Sequence, residues 1–122
     1  MTNQLQGEIL FKGWAGGADA AAWAYTPWMP VRGDVGTFGV EVTYLGGVTL
    51  TWNVQTRSLE DPSTITTILA ADQTTAAVGP VSATSTVAAK QLVRYRFSTG
   101  ATASTTDFAL LRALQPSWQG DR

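Results

Sequence analysis

The run VTLTWNVQTR, residues 48–57, alternates without a break. Val48, Leu50, Trp52 and Val54 share one parity, and Thr49, Thr51, Asn53, Gln55 and Arg57 share the other. A strand sends successive side chains to opposite faces, so this pattern suits a sheet buried on one side; a helix would need apolar residues every three or four positions. The same period governs TFGVEVTYL, with Phe38, Val40, Val42 and Tyr44 on one face and Thr37, Glu41 and Thr43 on the other. It returns in QLVRYRFS, where Val93, Tyr95 and Phe97 alternate with Arg94 and Arg96. Half-apolar strands must cover that half, which calls for a second sheet. Val40, Val42, Leu50, Trp52, Val54, Val93, Tyr95 and Phe97 are therefore expected to form one core between two sheets.

The rest of the chain adds weaker strands. Gly46-Gly47 has the composition of a two-residue hairpin turn joining the first two runs. GEILFKGW reads as an opening strand between Gly7 and Gly13, and AAWAYTPWMPV, with two prolines, as an edge or interrupted strand. STITTIL is rich in β-branched residues and follows the turn LEDPS, and GPVSATSTVA reads as a further short strand. In TTDFALLRALQPSW, Phe108, Leu111 and Leu114 also suit a short helix capped by Thr106 or Asp107, so 106–114 admits both readings; a strand ended by Pro116 is the one adopted here. The Ala/Thr-rich tract from Ala70 to Ala89 suits loosely packed strands or an arm across another subunit. About seven or eight short strands separated by Gly, Pro, Asp and Ser turns predict an all-β chain. It would be a single antiparallel β-sandwich or jelly-roll-like domain over 1–122, with 1–36 an aromatic-rich segment serving as arm or edge. A chain of 122 residues has room for one such core.

Composition removes many kinds of chemistry. The chain has no histidine and no cysteine, which excludes thiol nucleophiles, disulfides, thiolate or imidazole metal ligands and Ser-His-Asp relays. Carboxylates remain, but Glu60-Asp61 beside Pro62 reads as a turn. Glu8 and Glu41 would have to meet across a sheet to form a hydrolytic pair. No acidic cluster has the spacing of a calcium loop. The expectation is therefore no enzyme, no cofactor and no metal. A net charge of −1, spread singly, offers no field for nucleic acid. No apolar run spans a membrane and the N-terminus does not read as a signal peptide, so the expectation is a soluble chain synthesised without an export signal.

Three features remain as contact candidates. Arg32-Gly33-Asp34 matches the integrin-binding tripeptide, yet it sits between Pro30 and a strand start and reads as a structural turn or contact loop. The rings of Trp14, Trp23, Tyr25 and Trp28 crowd the N-terminal third, and Trp118 closes the chain in LQPSW. They suit core filling, a protein interface or stacking on sugars. Arg57, Arg94 and Arg96 lie on polar strand faces and Arg112 follows in the last run, where guanidinium groups pair with cross-strand neighbours or with a partner's carboxylates.

The segments VTYLGGVTLTWNVQTRSLEDPS, LVRYRFSTG and LQPSW, spanning Val42 to Trp118, resemble the capsid decoration or cement proteins of tailed bacteriophages. The likeness is one of texture: short Thr-rich strands, tight turns, no cysteine and few charges. It implies a β-rich structural protein on the capsid exterior of a virion, a homo-oligomer (trimer favoured) that binds the major capsid protein and stabilises its lattice. It carries no catalytic residue. The partner-contact residues expected on this reading are Trp14, Trp23, Tyr25, Trp28, Arg94, Arg96 and Trp118. A carbohydrate-binding or host-adhesion module stacking on Trp23, Tyr25 and Trp28, and a phage tail or connector component, are the alternatives.

Overall fold

The alternating runs become strands, and most breaks between them become changes of sheet. The computed structural model describes residues 9–15 by their backbone, and 23–46, 49–99 and 109–119 with their side chains. Among them run β1 (Ile9–Ala15), β2 (Ala24–Tyr25), β3 (Met29–Pro30), β4 (Val35–Leu45), β5 (Leu50–Arg57) and β6 (Thr66–Thr67). They are followed by β7 (Gln73–Thr75), β8 (Gly79–Thr84), β9 (Leu92–Ser98), β10 (Ala109–Leu114) and β11 (Ser117–Gln119). Every pairing is antiparallel. The run ALLRAL is a strand, as adopted above, and residues 106–108 lie outside the described residues. No helix among the described residues is long and apolar enough to cross a membrane.

Three lanes are each filled by two segments. β2 and β3 both lie against β9, with Pro27 between them, as its two prolines require. β6 and β7 both lie against β5, and β10 and β11 both lie against β4, broken at Gln115 and Pro116. Eleven segments with three such splits fill eight lanes, four in each sheet. Numbered along the chain, the lanes run 1-8-3-6 in one sheet and 2-7-4-5 in the other. Lanes 1 and 8, 2 and 7, 3 and 6, and 4 and 5 are neighbours, as though one long antiparallel hairpin had been rolled into two sheets. That winding is a jelly roll.

The winding corrects the expected hairpin at Gly46-Gly47. β4 and β5 lie in different sheets, so the chain crosses the sandwich there instead of turning back beside itself; Gly47 and Val48 are outside the described residues. Alternation fixes which face of a strand is buried, but a strand beside its predecessor and one facing it bury the same residues. The within-sheet hairpin lies instead between β5 and β6, at LEDPS. There Asp61 accepts hydrogen bonds from the Ser63 backbone N–H and from the hydroxyls of Ser63 and Thr64, while its own N–H donates to Ser58 Oγ. The Thr64 and Ser63 hydroxyls hold this exposed carboxyl below the usual aspartate range.

All eight residues expected in the core are buried there, joined by Phe38, Ile68, Leu69, Ala89, Ala109, Leu111 and Ala113. Tyr44 departs from the expectation and is 41% exposed. The register slips between Leu110 and Leu111, so Leu111 faces Val42 while Leu110 faces Tyr44. One extra residue on β4 reverses the parity beyond it, and Tyr44 turns outward with Leu110. The Arg32-Gly33-Asp34 bend is docked against β11 through a hydrogen bond from the Asp34 N–H to the Gln119 carbonyl (2.9 Å). A Cβ at Gly33 would stand 2.6 Å from that same carbonyl oxygen. Close approach of two backbones, not a positive φ, therefore requires glycine here.

Tyr95 closes the gap that Pro116 opens. On β4, Thr37 pairs with Ser117 of β11 and Val40 with Ala113 of β10, leaving Gly39 without a strand partner on that side. Reaching across from the other sheet, the Tyr95 hydroxyl accepts from the Gly39 N–H (3.1 Å) and donates to the Leu114 carbonyl (2.6 Å). Its ring meets Phe38 edge-on and stacks with Phe97. Burial raises the phenol above its usual range, opposed by the Gly39 hydrogen bond. Tyr95→Phe should lose about 1–3 kcal/mol in urea unfolding, because the buried Gly39 N–H loses its acceptor and the partly buried Leu114 carbonyl loses a donor. The folded phenol stays protonated where an unfolded tyrosine ionises, so its contribution is whole below pH ~10 and fades above it. The stability gap between wild type and Tyr95→Phe should accordingly narrow with rising pH above that point; a constant gap would contradict this role.

Candidate functional site

The outward positions of β9 and β5 carry Arg94, Arg96 and Arg57, in a register that sets Asn53 opposite Arg96 and Gln55 opposite Arg94. Just beyond β9 lies the proline-broken lane of β2 and β3. Thr26 holds that lane in place, its N–H donating to the Tyr95 carbonyl (3.1 Å) and its Oγ1 accepting from the Tyr95 N–H (3.0 Å). Because the lane is anchored there, Trp23, Tyr25 and Trp28 lean over the outer face of the sheet.

Rings and guanidinium groups then interleave. The Arg96 guanidinium carbon stands 4.1 Å from the Trp23 ring centre. Arg94 lies 4.0 Å from Tyr25 and 4.4 Å from Trp28, and Arg57 lies 5.0 Å from Trp28. Such stacking attracts the cation to the electron-rich ring face and leaves in-plane N–H groups free for hydrogen bonds. Arg94 Nε uses one of these on Gln55 Oε1 (2.9 Å). Arg96 donates to Asp72 Oδ1 (3.4 Å), which also accepts from Asn53 Nδ2 (2.7 Å). Asn53 is on the polar parity yet buried, and its Oδ1 takes the Val54 N–H. Burial lowers the proton affinity of Arg94; nearby Tyr25 opposes this, and the positive charge of Arg57 pushes the same way as burial.

Five of the residues expected as contacts thus come together: Trp23, Tyr25, Trp28, Arg94 and Arg96. Arg57 joins them. Trp118 does not, because β11 lies in the other sheet, where its ring packs edge-on against buried Phe38 at 5.5 Å, above Gly36. It lies against the core, although its segment LQPSW is broken by proline. Trp14 stands on β1 of that same sheet, opposite Leu110, and its side chain lies outside the described residues. Arg112 pairs with Glu41 across β10 and β4 at 3.3 Å. Glu8, the other half of the proposed carboxylate pair, lies outside the described residues. Asp72 and Asn53 escaped sequence reasoning, one inside an Ala/Thr tract and the other as an ordinary polar strand position. The register of β9 on β5 sets Asn53 beside Arg96, and the pairing of β7 with β5 brings Asp72 to them.

The arrangement is a cationic and aromatic surface on the outer face of one sheet. No family model matches the chain, nor does any curated protein. If the ladder is a coupled unit, a double-mutant cycle between Trp28→Ala and Arg94→Gln, read from urea unfolding, should give a coupling of about 0.5–2 kcal/mol. Additive effects would show that ring and guanidinium are mere neighbours.

Proposed function

We propose that this chain is a structural virion protein that binds the exterior of a phage capsid lattice, with the Trp–Arg ladder as its principal contact surface. The ladder carries the reading. Trp and Arg are the residues most enriched at the energetic centres of protein interfaces, and here both are already ordered before any partner arrives. Tyr25 at 42% exposure and the half-buried Trp23 and Trp28 give the surface apolar area, while the arginines supply hydrogen-bond donors at its rim. The jelly-roll winding agrees with this reading, since viral capsid domains use it, but lectins share it and the fold alone does not choose. Sugar stacking needs an open ring face. Each of the three rings has a guanidinium against it, which favours a protein partner.

In this reading the protein acts mechanically. Several copies, arranged as a homo-oligomer, attach to subunits of the major capsid protein, and multivalent attachment converts modest single contacts into stable coverage. Surface that exists only in the assembled shell is buried, so binding stabilises the shell.

The test is to add purified protein to undecorated particles and measure occupancy and resistance to heat. Wild type should bind and raise the temperature of particle disruption. Trp28→Ala should weaken binding by about 2 kcal/mol, as for an interface anchor. Failure of wild type to bind or protect the particles, or undiminished binding by Trp28→Ala, would overturn the assignment.

A further inference from the structure

Positive charge along the ladder is not balanced evenly. Arg96 has Asp72 at 3.4 Å, and Arg112 on the opposite sheet has Glu41 at 3.3 Å. Among the described residues, no carboxylate lies within 4.0 Å of a nitrogen of Arg57 or Arg94. Both of these guanidinium groups stack on the same ring, Trp28, at 5.0 Å and 4.4 Å. They are near enough for Arg57 to disfavour the charge on Arg94, in addition to the effect of burial. Arg94 spends Nε on Gln55, and Arg57 directs one terminal nitrogen to the Ser58 carbonyl at 3.4 Å. Both terminal nitrogens of Arg94 and the second of Arg57 have no protein acceptor among the described residues.

We propose that Arg57 and Arg94, held together by Trp28, form a receptor for a carboxylate of an acidic protein segment. The inference rests on the lattice-binding reading above and supplies its chemistry. Two like charges on one ring repel, and an anion placed between them reverses that repulsion into two attractions. A carboxylate fits best, because its two coplanar oxygens match the parallel N–H pairs of a guanidinium, and charge-assisted pairs of this geometry are the strong ones. A nucleic-acid backbone is a poorer occupant: the chain carries a net charge of −1, and two arginines do not make a basic track.

The experiment titrates the isotope-labelled full chain with a blocked hexaglutamate peptide, and separately with a single-stranded hexanucleotide at the same ionic strength. The expected result is a saturable shift of the Arg57 and Arg94 Nε–H signals and of the Trp28 indole N–H, with Arg112 unmoved. Arg57→Gln, at the end of the ladder, should weaken the peptide by about tenfold. Arg57→Lys should restore only part of that loss, since it keeps the charge without the planar fork. Shifts spread over all arginines, an Arg57→Gln variant that melts and titrates as wild type does, or tighter binding of the oligonucleotide would each overturn the proposal. Wild-type binding to particles with no response to the peptide would overturn the carboxylate receptor and leave the lattice reading standing. A localised peptide response without particle binding would support the receptor and overturn the lattice reading alone.

Discussion

The hydroxyl of Tyr95 sits where the two sheets meet a broken lane, and the presentation of the outer surface follows from how that break is closed. Rolling a chain into eight lanes demands sharp interruptions, and each interruption strands backbone groups that have to find partners away from water. Tyr95 closes the break between β10 and β11 with its side chain, and its backbone is in turn held by Thr26 across the break between β2 and β3. Thr56 does similar work, donating to the Leu92 carbonyl and accepting from the Lys90 N–H. Ser85 accepts from the Gly36 N–H. These hydroxyls are buried because they replace missing ladder partners. They also lock β9 against both the opposite sheet and the proline-broken lane.

That locking gives the outer face its character. With β9 fixed and Thr26 pinned to it, Trp23, Tyr25 and Trp28 have no freedom to bury in the core. They stack on the arginines of β9 and β5. The aromatic excess of the N-terminal third thus becomes a cover for cations, and the cations in turn keep the rings ordered at the surface. The ladder is asymmetric in charge: Asp72 balances Arg96 at one end, and among the described residues no carboxylate lies within 4.0 Å of a nitrogen of Arg57 or Arg94.

The sequence disclosed whatever depends on which face a residue occupies. Parity alone located Leu50, Trp52, Val54, Val93, Tyr95 and Phe97 in the core, and the prolines of AAWAYTPWMPV marked the interrupted edge. It did not disclose which strands are neighbours. The glycines after Leu45 suit a hairpin and a sheet crossing equally, and nothing local distinguishes them. Tyr44 was misplaced because a bulge depends on the partner strand's register. That Trp118 packs against the core was not legible, because a ring in a proline-broken tail reaches Phe38 only through the pairing of β11 with β4 above Gly36. The ring–arginine ladder was visible only as two separate lists. Its assembly depends on the pairing of β2 and β3 with β9, a contact between segments about seventy residues apart.

Two tyrosines of nearly equal exposure offer a direct test of which face engages a partner. Tyr25 lies on the ladder, and Tyr44 lies on the outer face of the opposite sheet. Hydroxyl-radical footprinting of the free protein and of the particle-bound protein would compare their oxidation with each other and with Trp28. The account predicts strong protection of Tyr25 and Trp28 on binding, with Tyr44 oxidised as in the free protein. Protection of Tyr44 while Tyr25 and Trp28 remain fully reactive would contradict it.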